Sequence, residues 1–299
     1  MRSRTENHSA LLFLVCLTLT TSSVRGQVLL KDAPLSPPGS WILMSSFSIA
    51  SISKTYDWTE NAWASSDGQK AGTFAELHVT AGRSLSDRME LLISIPWLAH
   101  RDGNQGGLKT GLGDIVLISR LGILKRTESK HSLTGLMALR SPAANPAIDP
   151  FFGDGTWDIG AGLLWASPPR KTFRFHVKSS YWFNNVIGSG MDPADDFIFI
   201  VKQETAIVPK LKLYIRYRFS RMGYSPAAGE QYVLPVFRHS LTAGIVWKLW
   251  SAVTLRPAVR IPLGGKGGNL LSVNPDIDFR YIIRRRNRPA EKDTEKPDE

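Results

Sequence analysis

Residues 211–219 read Leu-Lys-Leu-Tyr-Ile-Arg-Tyr-Arg-Phe. Leu211, Leu213, Ile215, Tyr217 and Phe219 alternate there with Lys212, Tyr214, Arg216 and Arg218. A period of two sorts the two sets onto opposite faces of a β-strand. The pattern recurs on either side. Upstream, Phe173, Phe175, Val177, Tyr181 and Phe183 alternate with Arg174, His176, Lys178, Ser180 and Asn184. Downstream, Phe237, Leu241, Ala243, Ile245 and Trp247 face away from Arg238, Ser240, Thr242, Gly244 and Lys248, and Ile277, Phe279, Tyr281 and Ile283 face away from Asp276, Asp278, Arg280 and Arg284. Past Gly26 no stretch repeats its apolar residues at three and four, so no helix is expected. Two-faced strands of up to about a dozen residues exceed the five or six usual in soluble sheets.

Twelve such stretches can be placed, at 41–56, 73–85, 88–98, 112–124, 131–141, 155–167, 172–184, 196–208, 211–221, 236–249, 252–262 and 276–286. Their connections alternate in length. Ser86-Asp87, 125–130, 168–171, Pro209-Lys210 and Trp250-Ser251 are short, whereas the others are longer and rich in Gly, Asn, Asp and Pro. An even strand number with tight turns at one end and long loops at the other is the layout of a transmembrane up-and-down antiparallel β-barrel of the bacterial outer membrane. It puts both chain ends on the periplasmic side. The soluble alternative, a secreted sandwich or lipocalin-like barrel, would turn the apolar face inward. Alternation alone does not choose between them. The rhythm of the loops, a secretion signal and the absence of cysteine past residue 26 favour apolar-out, and Trp97, Trp157, Trp165, Trp247, Trp250 and Tyr281 near strand ends fit interfacial girdles.

Composition agrees with this reading. The chain has 299 residues, of which 42% are hydrophobic and 21% charged, so it is not a disordered sequence. Mean hydropathy is −0.13, and no run reaches the roughly 20 apolar residues a spanning helix needs. Arg2 and Arg4, the apolar run Ala10–Thr20 and the small-residue stretch ending at Gly26 are expected to form a signal peptide over 1–26. Cys16 lies inside that run behind Val15, which is not the small residue an acylated lipoprotein cysteine follows. The rest of the chain therefore offers no disulfide, thiol nucleophile or cysteine metal site. Residues 27–38 are expected to be a periplasmic linker or a small plug, 39–286 the barrel and 287–299 a polar tail.

Several short motifs look familiar together: Gly39-Ser40-Trp41 with Tyr56-Asp57, Leu85-Ser86-Asp87-Arg88-Met89-Glu90-Leu91, Ile95-Pro96-Trp97, Gly111-Leu112-Gly113-Asp114-Ile115 and Gly153-Asp154-Gly155-Thr156-Trp157-Asp158. Over about 39–260 the chain resembles the MetA-pathway of phenol degradation family of transporter-like outer-membrane barrels. The resemblance implies passive uptake of small compounds, with aromatic or hydrophobic ones as candidates, and the barrel-assembly machinery and outer-membrane lipid as partners. Two departures stand out. A polar tail, Arg285–Glu299, replaces the C-terminal aromatic common in such barrels, and the loop Ser141-Pro142-Ala143-Ala144-Asn145 lacks a Pro-Thr-Gly-Asp-like stretch.

The polar face is where function would reside. Strand parity turns inward Arg174, Lys178, Lys202, Glu204, Lys212, Arg216, Arg218, Arg238, Arg256, Arg260, Asp278 and Arg280, the candidate lumen-lining set. Glu76, Glu90, Asp114, Arg120, Asp158, His176, Lys248, Asp276 and Arg284 join them. The early strands are mixed in sign and the later ones mostly basic. Such a wall could concentrate anions in an open pore, or its charges could pair across the lumen and fill a small barrel, because twelve strands lie between barrels that fill their interiors and those that leave a wide channel. Removing residues 1–26 takes away Arg2, Arg4, Arg25 and Glu6 and lowers the formal charge from +11 to +9, most of it on the strands.

Enzyme chemistry finds no support. Rim phospholipases bring a Ser and a His together on the outer surface, but His78, His100, His131, His176 and His239 are scattered, and the adjacent pairs His131-Ser132 and His239-Ser240 point to opposite faces. Gly264-Gly265-Lys266-Gly267-Gly268 lacks the Lys-Ser/Thr ending and following helix of a phosphate loop. Asp114 is expected to face the lumen at a strand start, with cation ligation the lesser alternative. Charges at period two, without a patch of interleaved aromatics, argue against nucleic acid. No cofactor is expected. The functional expectation is a channel or transporter for a small-molecule solute, and the alternative is a non-conducting structural or partner-binding barrel.

Overall fold

The computed structural model describes residues 35–57, 60–65, 72–101, 107–124, 131–143, 156–168, 172–187, 195–224, 234–267, 269–271 and 273–283. The expected signal peptide, the tail, Arg284 and most of the long loops lie outside these residues. Fifteen strands and no helix are present among them. The first eight are β1 (Trp41–Asp57), β2 (Ala62–Ser65), β3 (Thr73–Ser84), β4 (Met89–Arg101), β5 (Leu108–Leu112), β6 (Val116–Leu124), β7 (Ser132–Arg140) and β8 (Trp157–Ala166). There follow β9 (Phe173–Ile187), β10 (Asp196–Val208), β11 (Leu211–Tyr224), β12 (Leu234–Lys248), β13 (Val253–Lys266), β14 (Asn269–Leu271) and β15 (Asn274–Ile283).

Twelve of these form a closed antiparallel barrel, and β2, β5 and β14 only lengthen its wall beside β1 and β4. Each long strand pairs with its neighbours in sequence, and β1 closes the ring by pairing with β3 on one edge and β15 on the other. Trp41 lies opposite both Arg83 and Ile283, so the barrel begins and ends at the same rim. Closure leaves the twelve-strand wall without a free edge, so its strands pair on both sides, as a lipid-embedded sheet requires. The long strands run to 17 residues in β1, one residue beyond the stretch 41–56 expected from the sequence and enough to cross a bilayer at a tilt.

The apolar face is outside. On β11 Leu213 and Ile215 are 46% and 58% exposed, whereas Tyr214 and Arg216 between and beside them are 5% and 6% exposed. The same holds on β4, where Leu91, Ile93, Ile95 and Trp97 are exposed and Glu90, Leu92, Ser94 and Leu98 are buried. Water would not tolerate so continuous an apolar surface on a monomer. Lipid does. Trp157, Trp247 and Trp250 are also exposed on this outer face, as a girdle requires.

One expected strand is corrected. Instead of a single strand over 112–124, β5 and β6 are separated by Gly113-Asp114-Ile115. Both pair with β4, with Leu112 opposite Trp97 and Val116 opposite Ser94, so three residues face the two residues Ile95 and Pro96. The cause is local. Pro96 has no N–H to give to a ladder, and only its carbonyl is used, accepting a hydrogen bond from the Gly113 N–H at 2.9 Å. The extra residue inverts the strand's parity, a bulge effect: Leu112 is exposed beside Trp97, but Val116, also even-numbered, is buried. A second irregularity lies between His239 and Ser240, opposite Gly264 and Pro262, and just beside it Arg238 faces Gly265 on β13. That residue has φ +146°, and an added Cβ would lie 1.9 Å from the Phe237 carbonyl oxygen. Only glycine fits.

Candidate functional site

The barrel interior is built from rows of inward side chains that run around the wall through the strand register. One row passes from Ile42 through Gly82, Leu92, Ile118, Ala138 and Gly160 to Trp182. Ile42, Leu92, Val116, Ile118 and Trp182 are buried together, with Met44, Leu136 and Ala138 against them. Trp182 reaches into this cluster because its row neighbour has no side chain: a Cβ on Gly160 would lie 2.9 Å from the indole ring. The Arg140 guanidinium lies over the same ring at 4.6 Å and pairs with Asp158 at 2.8 Å. The interior of the β1–β9 sector is thus partly filled by apolar side chains.

Ion pairs line other parts of the inner wall. Arg120 donates to buried Glu90. Glu204 receives Lys202 at 2.7 Å, with Lys212 at 3.6 Å and His176 at 3.8 Å. Asp276 receives Arg260 at 2.7 Å and Arg216 at 3.4 Å, and Arg216 also donates to the Thr242 hydroxyl at 3.2 Å. Glu76 and His78, neighbours on the inner face of β3, share a hydrogen bond. Buried pairs of this kind gain little over apolar packing but become costly when one partner is removed.

Residues 35–40 enter the same network. The Ser36 N–H donates to Glu90, its carbonyl accepts from the Ser84 hydroxyl at 3.0 Å, and its own hydroxyl accepts from Arg280 at 3.2 Å. Leu35 lies against Gly122.

Of the twelve candidate lumen residues, Lys178, Lys202, Glu204, Arg216 and Asp278 are buried, and Arg174, Lys212, Arg218, Arg238, Arg256, Arg260 and Arg280 are half-buried. Glu76, Glu90, Asp114, Arg120, Asp158, His176 and Asp276 are buried too, whereas Lys248, at the end of β12, is exposed. Register brings Lys202 beside both His176 and Arg216, and Arg256 beside Asp278. Sequence reasoning omitted Arg140 and Trp182. The parity that turns Arg174, His176 and Lys178 inward also turns Trp182 inward, so its position on β9 was available as a signal. What hid it was the assumption that the inner face is polar throughout. Among the described residues no three His, Cys, Asp or Glu side chains converge as a metal site.

These features define a closed transmembrane β-barrel with the architecture of the bacterial outer membrane. No family model matches the sequence, and no curated protein matches it. The fold is similar to that of the COG4313 outer membrane channel from Pseudomonas putida F1, with a TM-score of 0.70 at 14% identity over 86% of this chain and 100% of that one. Looser likenesses are to the beta domain of the Bordetella autotransporter BrkA (TM-score 0.48, 13% identity, 82% of this chain and 100% of that one) and to the NanC porin (TM-score 0.45, 5% identity, 82% and 99%).

Proposed function

We propose that the barrel is a passive conduit for small solutes across the outer membrane, with aromatic or hydrophobic compounds as its candidate cargo. The observation that carries the reading is the divided interior: an apolar arc around Trp182 on one side and a mostly basic wall on β9–β13 on the other. An interior that served only to hold the wall together would have no need of such a division. Similarity of fold to a protein named as an outer membrane channel supports it. Membership of the phenol-degradation family belongs to the same proposal, supported by the motifs between Gly39 and Asp158.

The second reading, a non-conducting barrel that presents its loops to a partner, is favoured by the buried ion pairs centred on Glu90, Glu204 and Asp276, which knit neighbouring inner side chains along the wall. Conductance of the refolded protein in planar bilayers, with solute leakage from liposomes, separates the two. A conduit gives discrete current steps that prefer anions, and the variant Arg216→Gln/Arg218→Gln lowers that preference. No current and no leakage would refute the conduit. Unchanged selectivity in the variant would remove the basic wall from the path.

A further inference from the structure

Three inward cations stand outside the ion-pair network. Lys178 on β9, Arg218 on β11 and Arg238 on β12 make no ion pair with a carboxylate among the described residues, unlike Lys202, Arg216 and Arg260 beside them. They sit close together. Lys178, Ile200, Arg218 and Ser240 form one row of the wall, and Ser180, Ile198, Ser220 and Arg238 form the next.

The surroundings add positive charge. Arg218 lies within electrostatic reach of Arg216, Arg238 and Arg260, and Lys178 within reach of Arg218 and Arg120. The facing carboxylates are Asp196 toward Arg238 and Glu76 toward Arg218, and Glu76 is already engaged by His78. Lys178 and Ser180 are 7% and 6% exposed, and the Ser180 hydroxyl and Arg238 Nε find no hydrogen-bond partner among the described residues. Like charges set beside the buried Lys178 and the unmet Ser180 hydroxyl are costly unless an anion completes them. Between the cations in the wall lie Ile198 and Ile200, 1% and 7% exposed, so buried apolar side chains rather than further acids separate Lys178 and Ser180 from Arg218 and Arg238.

We propose that Lys178, Arg218 and Arg238, with the Ser180 hydroxyl, form a seat for an organic monoanion whose carboxylate is received by the cations. Arg218 and Arg238 supply the planar donors that suit a carboxylate, and Lys178 supplies a point charge. This deepens the conduit reading by naming a cargo class with a charged end. Binding is measured apart from passage, so the two ideas fail separately.

The test is equilibrium binding of cyclohexanecarboxylate to the refolded full chain in detergent, with neutral cyclohexylmethanol as the comparison. Saturable binding of the acid is expected, about tenfold tighter than the alcohol, in keeping with the strength of charge-assisted hydrogen bonds. Lys178→Met/Arg218→Met should weaken it by about tenfold or more, and Lys178→Arg, which keeps the charge, should bind within about threefold of the parent. Heat-modifiable gel migration establishes that each variant has folded, and the charge-keeping variant tests the idea even if the double variant does not fold. Equal binding of acid and alcohol, a folded double variant that binds like the parent, or no saturable binding of the acid would each overturn the proposal.

Discussion

Replacing Asp276 by Asn tests whether the interior acts as a dry lattice. The Asp276 side chain is 5% exposed, and one of its oxygens takes Arg260 at 2.7 Å and Arg216 at 3.4 Å. Asn keeps the shape but removes the charge, leaving two guanidinium groups facing each other with their common counter-ion gone. Breaking a buried pair from one side costs about 3–5 kcal/mol. Arg260 keeps 22% of its side chain exposed and Arg216 keeps 8%, so the lower end, about 3 kcal/mol, is expected for Asp276→Asn. The assay is reversible urea unfolding of the barrel in lipid vesicles, followed by tryptophan fluorescence. Adding Arg260→Met should recover part of the loss, because the second change removes one of the stranded charges, and a coupling of about 1–3 kcal/mol is expected from residues in direct contact. A different result is physically coherent: if water fills the lumen, the pair behaves as an exposed one, worth about 0–1 kcal/mol. A loss below about 1 kcal/mol with no coupling would therefore refute the lattice and favour a wet channel.

Two further perturbations probe the other structural determinants. Gly160→Val should destabilise the barrel by about 1–3 kcal/mol through overpacking and should change the emission of Trp182, since the added atoms meet its indole at 2.9 Å; unchanged stability and spectrum would mean that the ring does not rest there. Ile215→Arg, at an outward position 58% exposed in the middle of β11, should cost up to about 2–4 kcal/mol in a bilayer but little in a detergent micelle that adapts to the charge, and equal effects in both would place this face away from lipid.

The wall was legible in the sequence because a barrel strand repeats one decision, in or out, at every residue. Leu211 to Phe219 carries that decision without error, and the register of β11 with β10 and β12 follows it through Arg216 and Arg218. Parity is lost where the backbone slips. At Gly113-Asp114-Ile115 the inserted residue changes which even-numbered side chains face inward, and the cause, Pro96, lies on the neighbouring strand. A pattern read along one strand cannot register a missing N–H on another.

The interior was less legible, for a related reason. Alternation turns Arg218, Arg260 and Asp276 to the same side without saying which of them meet. Pairing depends on height within the sheared wall and on reach across it, so Asp276 holds Arg260 and Arg216 from two strands while Arg218, in the next row, pairs with no carboxylate among the described residues. Charge counting along the sequence treats these arginines as equivalent. In the folded barrel, Arg216 and Arg260 share Asp276, whereas the acid within electrostatic reach of Arg218 is Glu76, which is engaged by His78. An uneven distribution of partners, rather than the formal excess of base, is what leaves one sector of the wall able to receive an anion. Anion preference should therefore fall more on loss of Lys178 or Arg218 than on loss of the Glu204-bound Lys202, and equal effects measured as reversal potentials would trace the preference to net charge alone.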